Sequence, residues 1–247
     1  MITAAEIKAI KALKDRSHRI AEGLFVAQGD KLIGELLGSR LVVKRLFVTS
    51  DSRLISCQWA ELISSSQMER ISSLRSAPES LALVELPQGV STQREEGLTL
   101  VLDGVQDPGN IGTIIRLAHW YGIKQIFCSR ESADCYSTKV VQSTMGAIAA
   151  VDVIYTDLEE FLDQQQVPIY GTFLQESASL YDQKLDRHNA IIVMGNEGQG
   201  ISPSIERRVS KRLFIPPYPA HEATVESLNV AVATAVIVAE FRRGRSL

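Results

Sequence analysis

Three polar stretches in the second half of the chain carry residue types suited to chemistry. The first, DGVQDPGN, leads into the run IGTIIRLA and offers Asn110 and, six residues on, Arg116. A guanidinium binds phosphate or steadies negative charge growing on an oxygen, and an amide can orient a hydroxyl beside it. Asp107-Pro108-Gly109 reads as a turn and Asn110 as the cap of the helix that follows. Capping alone would account for Asn110. Arg116 sits among Ile114, Ile115, Leu117 and Ala118, so it reads as a charge in a buried stretch that needs an acidic partner, a carbonyl or a ligand. The second stretch, MGNEGQGIS, has three glycines in six residues, which permits positive φ and close approach of the backbone to a bound molecule. Its spacing is neither the dinucleotide fingerprint nor a P-loop, and a plain glycine-rich turn is an equal alternative. Glu197 in its middle disfavours phosphate and suits a cationic or hydroxyl-bearing ligand. The third, IPPYPAHEATVESLN, places Glu226, Ser227 and Asn229 at the entrance of an apolar helix. Glu226 or Ser227 could cap that helix, but three polar groups exceed what one cap requires. His221 and Glu222 read as solvated.

These residues need a scaffold. From Leu98 the sequence alternates candidate strands (LTLVLDG, KQIFCS, VDVIY, PIYGTF, AIIVMG and KRLFIP) with helical segments, the pattern of a parallel sheet covered on both faces. In such sheets ligands bind outside the carboxyl ends of the strands. The closing helix, SLNVAVATAVIVAEFRRG, is apolar almost all round, which calls for burial by more than its own sheet and points to a subunit interface. Ahead of Leu98 stand a helix over Ala4 to Leu13, a strand entering a helix in LFVAQGDKLIGELL, a strand at Arg45 to Thr49 and another at Leu81 to Leu86. The reading is two domains, 1–86 and 98–247, joined by the breaker-rich linker 87–97.

Composition narrows the classes. No apolar run reaches the ~18 to 20 residues of a membrane span, and the N-terminus lacks the apolar region of a signal peptide. Three cysteines without metal-ligand or C-x-x-C spacing fit buried thiols in a reducing cytoplasm, and no metal is expected. Net charge is −3, yet residues 1–53 hold ten Lys and Arg against six Asp and Glu. A phosphate-attracting N-terminal arm is compatible with that split, and so is an ordinary solvated helix face.

Taken in order, D-x-x-N-x-G-x-x-x-R (Asp107, Asn110, Gly112, Arg116), G-N-E-G-x-G (Gly195 to Gly200) and I-P…E-S-L-N-x-x-x-A (Ile215 to Ala233) resemble the SpoU/TrmH class of RNA ribose 2′-O-methyltransferases. The likeness runs from Leu98 to Arg243, and the N-terminal part resembles the small RNA substrate-binding domain many members carry. The resemblance implies an α/β fold with a deep C-terminal trefoil knot, a homodimer, and S-adenosylmethionine bound at Gly195, Asn196, Gly198, Ile215 and Leu228. It implies catalytic roles for Asn110, Arg116, Glu197, Ser227 and Asn229, and ribosomal RNA as a substrate ahead of transfer RNA. Pro217 departs from the family's usual Met, PYPAHEATV lengthens the loop before S-L-N, and Gln28 replaces a usual Glu. The alternatives are a knotted RNA-binding or assembly factor without catalysis, and a nucleotide-dependent dehydrogenase. The second lacks the fingerprint glycines and the acidic residue that follows them.

Overall fold

The structure, a computed structural model, describes residues 2–174, 178–219 and 227–243. The chain divides into two compact units, Met1–Val90 with Asp134–Ala150, and Ser91–Ala133 with Val151–Leu247. In the first unit, α1 (Ala4–Ala12) starts at a capping box in which Thr3 and Glu6 satisfy each other's backbone N–H groups. After α2 (Arg16–Glu22) come β1 (Leu24–Gln28), α3 (Asp30–Leu37), β2 (Val43–Val48), β3 (Glu61–Leu62), α4 (Ser65–Ile71) and β4 (Ser80–Glu85). The strands form a mixed sheet in the order β1-β4-β2-β3, antiparallel except for β2 with β3. Ile7 and Ile10 of α1 and Met68 and Ile71 of α4 bury against Val26, Phe47, Leu81 and Leu83 of the sheet.

The second unit is built on parallel strands. They are β5 (Leu98–Leu102), β6 (Gln125–Cys128), β7 (Asp152–Tyr155), β8 (Ile169–Thr172), β9 (Ala178–Ser179), β10 (Ala190–Met194) and β11 (Lys211–Phe214). Every recorded pairing is parallel, in the order β7-β6-β5-β10-β8-β11-β9. All five residues of β5 and of β10 are buried, as central strands covered on both faces require. Helices α5 (Pro108–Trp120), α7 (Leu158–Asp163), α8 (Pro203–Glu206) and α9 (Val230–Arg242) connect or follow the strands. The six strands expected from Leu98 onward are all present, and β9 is a short addition at the edge. Chain order places α6 (Thr138–Thr144) between β6 and β7, but it packs in the first unit. There Asp134 accepts a hydrogen bond from the buried Arg19 guanidinium, and Tyr136 meets Phe25 with ring centroids 5.0 Å apart. The expected linker has no regular structure, and its later part is fastened to the second unit. Arg94 donates to the Gly97 carbonyl (2.6 Å) and to Asn189, while Gln125 receives Glu95 N–H (2.7 Å). No described helix is long and apolar enough to cross a membrane.

Candidate active site

In the second unit, parallel β5, β10, β8 and β11 lie side by side, so the loops after β5, β10 and β11 leave the same edge of the sheet. Adjacent strands stand about 4.8 Å apart, which brings the three polar stretches within a few strand spacings of one another. Side-chain hydrogen bonds then join them directly. Asn229 Nδ2 donates to Asn110 Oδ1 (2.9 Å), and Asn110 Nδ2 donates to Glu197 Oε1 (2.8 Å). One residue from each stretch enters this chain, and Asn110 is its middle link. The backbone N–H groups of Gln106 and Asp107 also face the Glu197 carboxylate, each at 3.5 Å.

The local sequence explains how each member is held. Asp107, not Asn110, caps α5: its Oδ1 accepts from Asn110 N–H (2.9 Å), and Pro108 occupies the first turn. The expectation for Asn110 is therefore corrected. An Asp-Pro pair is the stronger start signal, because proline needs no N–H partner at the first helical position. Relieved of capping, the Asn110 amide is available to Glu197 and Asn229. At the other helix, Asn229 is the cap, with Oδ1 accepting from Ala231 N–H (2.9 Å) and Val232 N–H (3.3 Å). Capping by Ser227 is thus also corrected, while Glu226 lies outside the described residues, as do His221 and Glu222. The helix begins at Val230, later than expected, and Ser227 and Leu228 are exposed just ahead of it.

The glycine-rich loop is folded tightly on itself. Asn196 and Gly200 pair backbone to backbone, N–H to carbonyl in both directions (2.8 and 2.9 Å). A Cβ on Gly195 would lie 2.2 Å from the Gly200 carbonyl carbon, so no side chain fits there. Asn196 ties the loop: Nδ2 donates to the Gly104 carbonyl (2.7 Å), and Oδ1 accepts from Gly198 (2.9 Å) and Gln199 (3.0 Å) N–H groups. The side chain assigned to cofactor contact is thus occupied in holding the β5 and β10 loops together. Below it, Asp103 Oδ2 accepts from Ser202 N–H (2.7 Å), a second tie between the same loops.

Arg116 differs from expectation. Its side chain is exposed, and among the described residues it makes no hydrogen bond or ion pair. The buried face of α5 is Ile111, Ile114, Ile115 and Ala118, and the 3.6-residue period turns Arg116 to the opposite side despite its apolar neighbours in sequence. It lies about 9 Å along the helix axis from Asn110. The structure therefore brings Asn110, Glu197 and Asn229 together and leaves Arg116 reaching outward from the same helix.

S-adenosylmethionine was the cofactor expected at this edge, and the residues fit it. Gly195 to Gly198 present peptide groups suited to polar ring edges, and a Cβ on Gly198 would meet only Asn196 Oδ1, at 3.6 Å. Ile215 follows β11 and is half-buried, and Leu228 is 46% exposed, which leaves aliphatic surface for an apolar ring face. These five positions carry no cation that would repel a sulfonium, and the Glu197 carboxylate lies in the same loop. Among the described residues no three His, Cys, Asp or Glu side chains gather as a metal site would require. The roles missed in the sequence are those of Asp103, which ties the β5 and β10 loops, and Asp107, which caps α5. Only Asp107 had a local signal, the Asp-Pro pair.

Comparison with known proteins places the chain among RNA methyltransferases. The SpoU rRNA Methylase family matches residues 97–239, and the MRM3-like substrate binding domain matches residues 4–92. The chain is 28% identical over 248 residues to the 23S rRNA (guanosine(2553)-2′-O)-methyltransferase RlmP of Bacillus subtilis, covering 96% of each. It is 35% identical over 167 residues to the 23S rRNA (guanosine-2′-O-)-methyltransferase RlmB of Xanthomonas campestris, covering 66% of this chain and 63% of that protein. A TrmH-family protein structure from Porphyromonas gingivalis superposes with a TM-score of 0.86 at 39% identity, covering 98% of this chain and 99% of the other. The AdoMet-bound rRNA methyltransferase of Sinorhizobium meliloti gives 0.84 at 25% identity, covering 98% and 96%. With one family matching more than half of its length, in the segment that carries the joined loops, this chain belongs to the SpoU rRNA methylase family.

Proposed function

We propose that the protein transfers a methyl group from S-adenosylmethionine to a ribose 2′-hydroxyl of ribosomal RNA. The observation that carries this reading is the Asn229–Asn110–Glu197 hydrogen-bonded chain, which gathers the three stretches the family resemblance rests on. The RNA class follows the relatives named as 23S rRNA 2′-O-methyltransferases. The cofactor supplies a methyl group already activated on a sulfonium. What the protein must add is alignment and a favourable setting for a weakly acidic hydroxyl as its oxygen gains charge.

Each residue has a part in that task. Glu197, fixed by Asn110, accepts hydrogen bonds and suits a hydroxyl-bearing sugar. Asn110 and Asn229 hold it in one orientation, and Ser227 adds a hydroxyl at the entrance of α9. Arg116 steadies the developing oxygen charge or a flanking phosphate. Main-chain groups of Gly195, Asn196 and Gly198, with Ile215 and Leu228, hold the cofactor. In this reading 98–247 carries transfer, 1–86 binds RNA and 87–97 connects them. The C-terminal part forms a deep trefoil knot, an exception to the rule against knots. The protein works in the cytoplasm as a homodimer through α9, a reading supported by the half-exposed apolar side chain of Val232 (50%) on that helix. Mapping 2′-O-methyl positions on ribosomal RNA from cells with and without the gene tests the reading. A position that loses its methyl on deletion and regains it with the wild-type gene, but not with Arg116→Ala, is the expected result. An unchanged map with intact RNA binding would favour a knotted binding factor without catalysis.

A further inference from the structure

The second unit has a cleft of about 560 Å³ apart from the cluster of Asn110, Glu197 and Asn229. It lies at the carboxyl ends of β5, β6, β7 and β10, the crevice where the strand order of an open α/β sheet reverses and ligands characteristically bind. Its size falls in the ordinary range of small-ligand sites. We propose that this cleft holds the unpaired base of a nucleotide next to the methylated ribose. The inference rests on the RNA methyltransferase reading and specifies its substrate: a site within a single-stranded loop or bulge rather than a continuous helix.

Continuity with the cluster is the first argument. The cleft and the Asn110–Glu197–Asn229 chain share a wall made by the β5 and β10 loops. Gly104, Gln106 and Asn196 line the cleft, while Asn196 Nδ2 binds the Gly104 carbonyl (2.7 Å) and Gln106 N–H faces Glu197 (3.5 Å). A polymer whose ribose meets Glu197 therefore has its neighbouring nucleotide at this wall.

Uncommitted polar groups supply the second argument. Gln106, Arg130, Glu131 and Gln199 all line the cleft and are exposed, and among the described residues none of their side chains makes a hydrogen bond or ion pair. Two amides, a guanidinium and a carboxylate make a set that reads base edges, where donors and acceptors alternate. Charge argues against the sugar-phosphate backbone as the occupant. Asp103, Glu131, Asp157 and Glu159 surround the cleft against the single cation Arg130. Unpaired RNA bases, splayed out and read on their edges, are the chemistry that remains.

Steady-state methylation of ribosomal RNA from gene-deleted cells tests this, alongside calorimetry of S-adenosylmethionine binding. Ser204→Trp places an indole in the cleft. It should raise KM for RNA about tenfold or more, the scale of one lost base contact, while cofactor affinity stays within about twofold. Glu131→Ala and Arg130→Ala, at exposed positions where folding is not at stake, should each raise KM about threefold or more. Unchanged KM in both alanine variants overturns the inference while the methyltransferase reading stands. Wild-type protein that methylates no RNA overturns both.

Discussion

Short polar side chains fasten loops at strand ends in both units, and they do so to different ends. In the first unit, Asp30 accepts from Ser80 Oγ (2.6 Å), Arg53 N–H (2.7 Å) and Ser52 Oγ (2.8 Å). Beside it the buried Gln28 accepts from Ser72 Oγ (2.8 Å) and donates to Ser73 Oγ (2.9 Å). Those groups are used up inside the fold, and the junction is structural. In the second unit, Asn110, Glu197 and Asn229 also bind one another, but Glu197, Asn229 and Ser227 remain exposed, and so does Arg116. The same bonding device that closes one junction leaves the other open to a ligand. A site is told from a brace by which polar groups still face solvent after the loops are tied.

The comparison can be broken most sharply at Arg116. Arg116→Ala should lower the methylation rate by about 10²-fold or more, the range for losing a donor aimed at developing charge. Because the side chain is exposed and braces nothing among the described residues, cofactor affinity and melting temperature should stay at wild-type values. Equal loss of rate and cofactor affinity would refute its role.

In the first unit, Asp30→Asn should cost about 1–3 kcal/mol in denaturant unfolding, because an amide NH2 cannot accept from the Arg53 N–H and Ser80 and Ser52 hydroxyls as the carboxylate does. Burial raises the Asp30 pKa, but hydrogen bonds from Ser80, the Arg53 N–H and Ser52, with the Arg53 charge, bring it below the ordinary value. A carboxylate lowered on folding stabilises fully above its unfolded pKa, about 3.9, and loses that contribution as pH falls through the folded value. The acid-side slope of stability should therefore be shallower in Asp30→Asn than in wild type. An identical slope would show that the junction does not depend on the charge.

Asn229→Ala sharpens the distinction, since Asn229 both caps α9 and meets Asn110. Loss of the cap should cost about 1 kcal/mol. Asn229→Ser, which keeps a capping oxygen but is too short to reach Asn110, should restore most of the stability and not the rate. Recovery of both would make Asn229 a cap alone. Met145 sets the smallest effect. It is a non-glycine residue at φ 52, a left-handed conformation that strains side chains. Met145→Gly should raise stability by about 0.5 kcal/mol or less, read by thermal unfolding, as glycine's greater freedom in the unfolded chain offsets much of the relief.

The six longer strands of the second unit were legible because they are short, mostly apolar runs between turn residues, and β5 and β10 are buried on both faces as their near-continuous apolar content requires. The three polar stretches were also legible, since types and spacing stand out against that background. Facing was read less well. Its sequence neighbours make Arg116 read as buried, but counting Ile111, Ile114, Ile115 and Ala118 by the helical period turns it to solvent. Asn110 reads as a cap, but the Asp107-Pro108 pair ahead of it is the stronger start signal. The Asn196 tie, the Asp103–Ser202 bond and the packing of α6 in the first unit join residues far apart in sequence, and no local pattern encodes them.

The most direct test of the central claim follows the methyl group itself. Ribosomal RNA from gene-deleted cells is incubated with the protein and S-adenosylmethionine carrying a labelled methyl group, digested to nucleosides, and analysed by mass spectrometry. The account predicts label on a ribose 2′-oxygen, and its loss with Arg116→Ala. Label on a base, or none from protein that binds both cofactor and RNA, would contradict it.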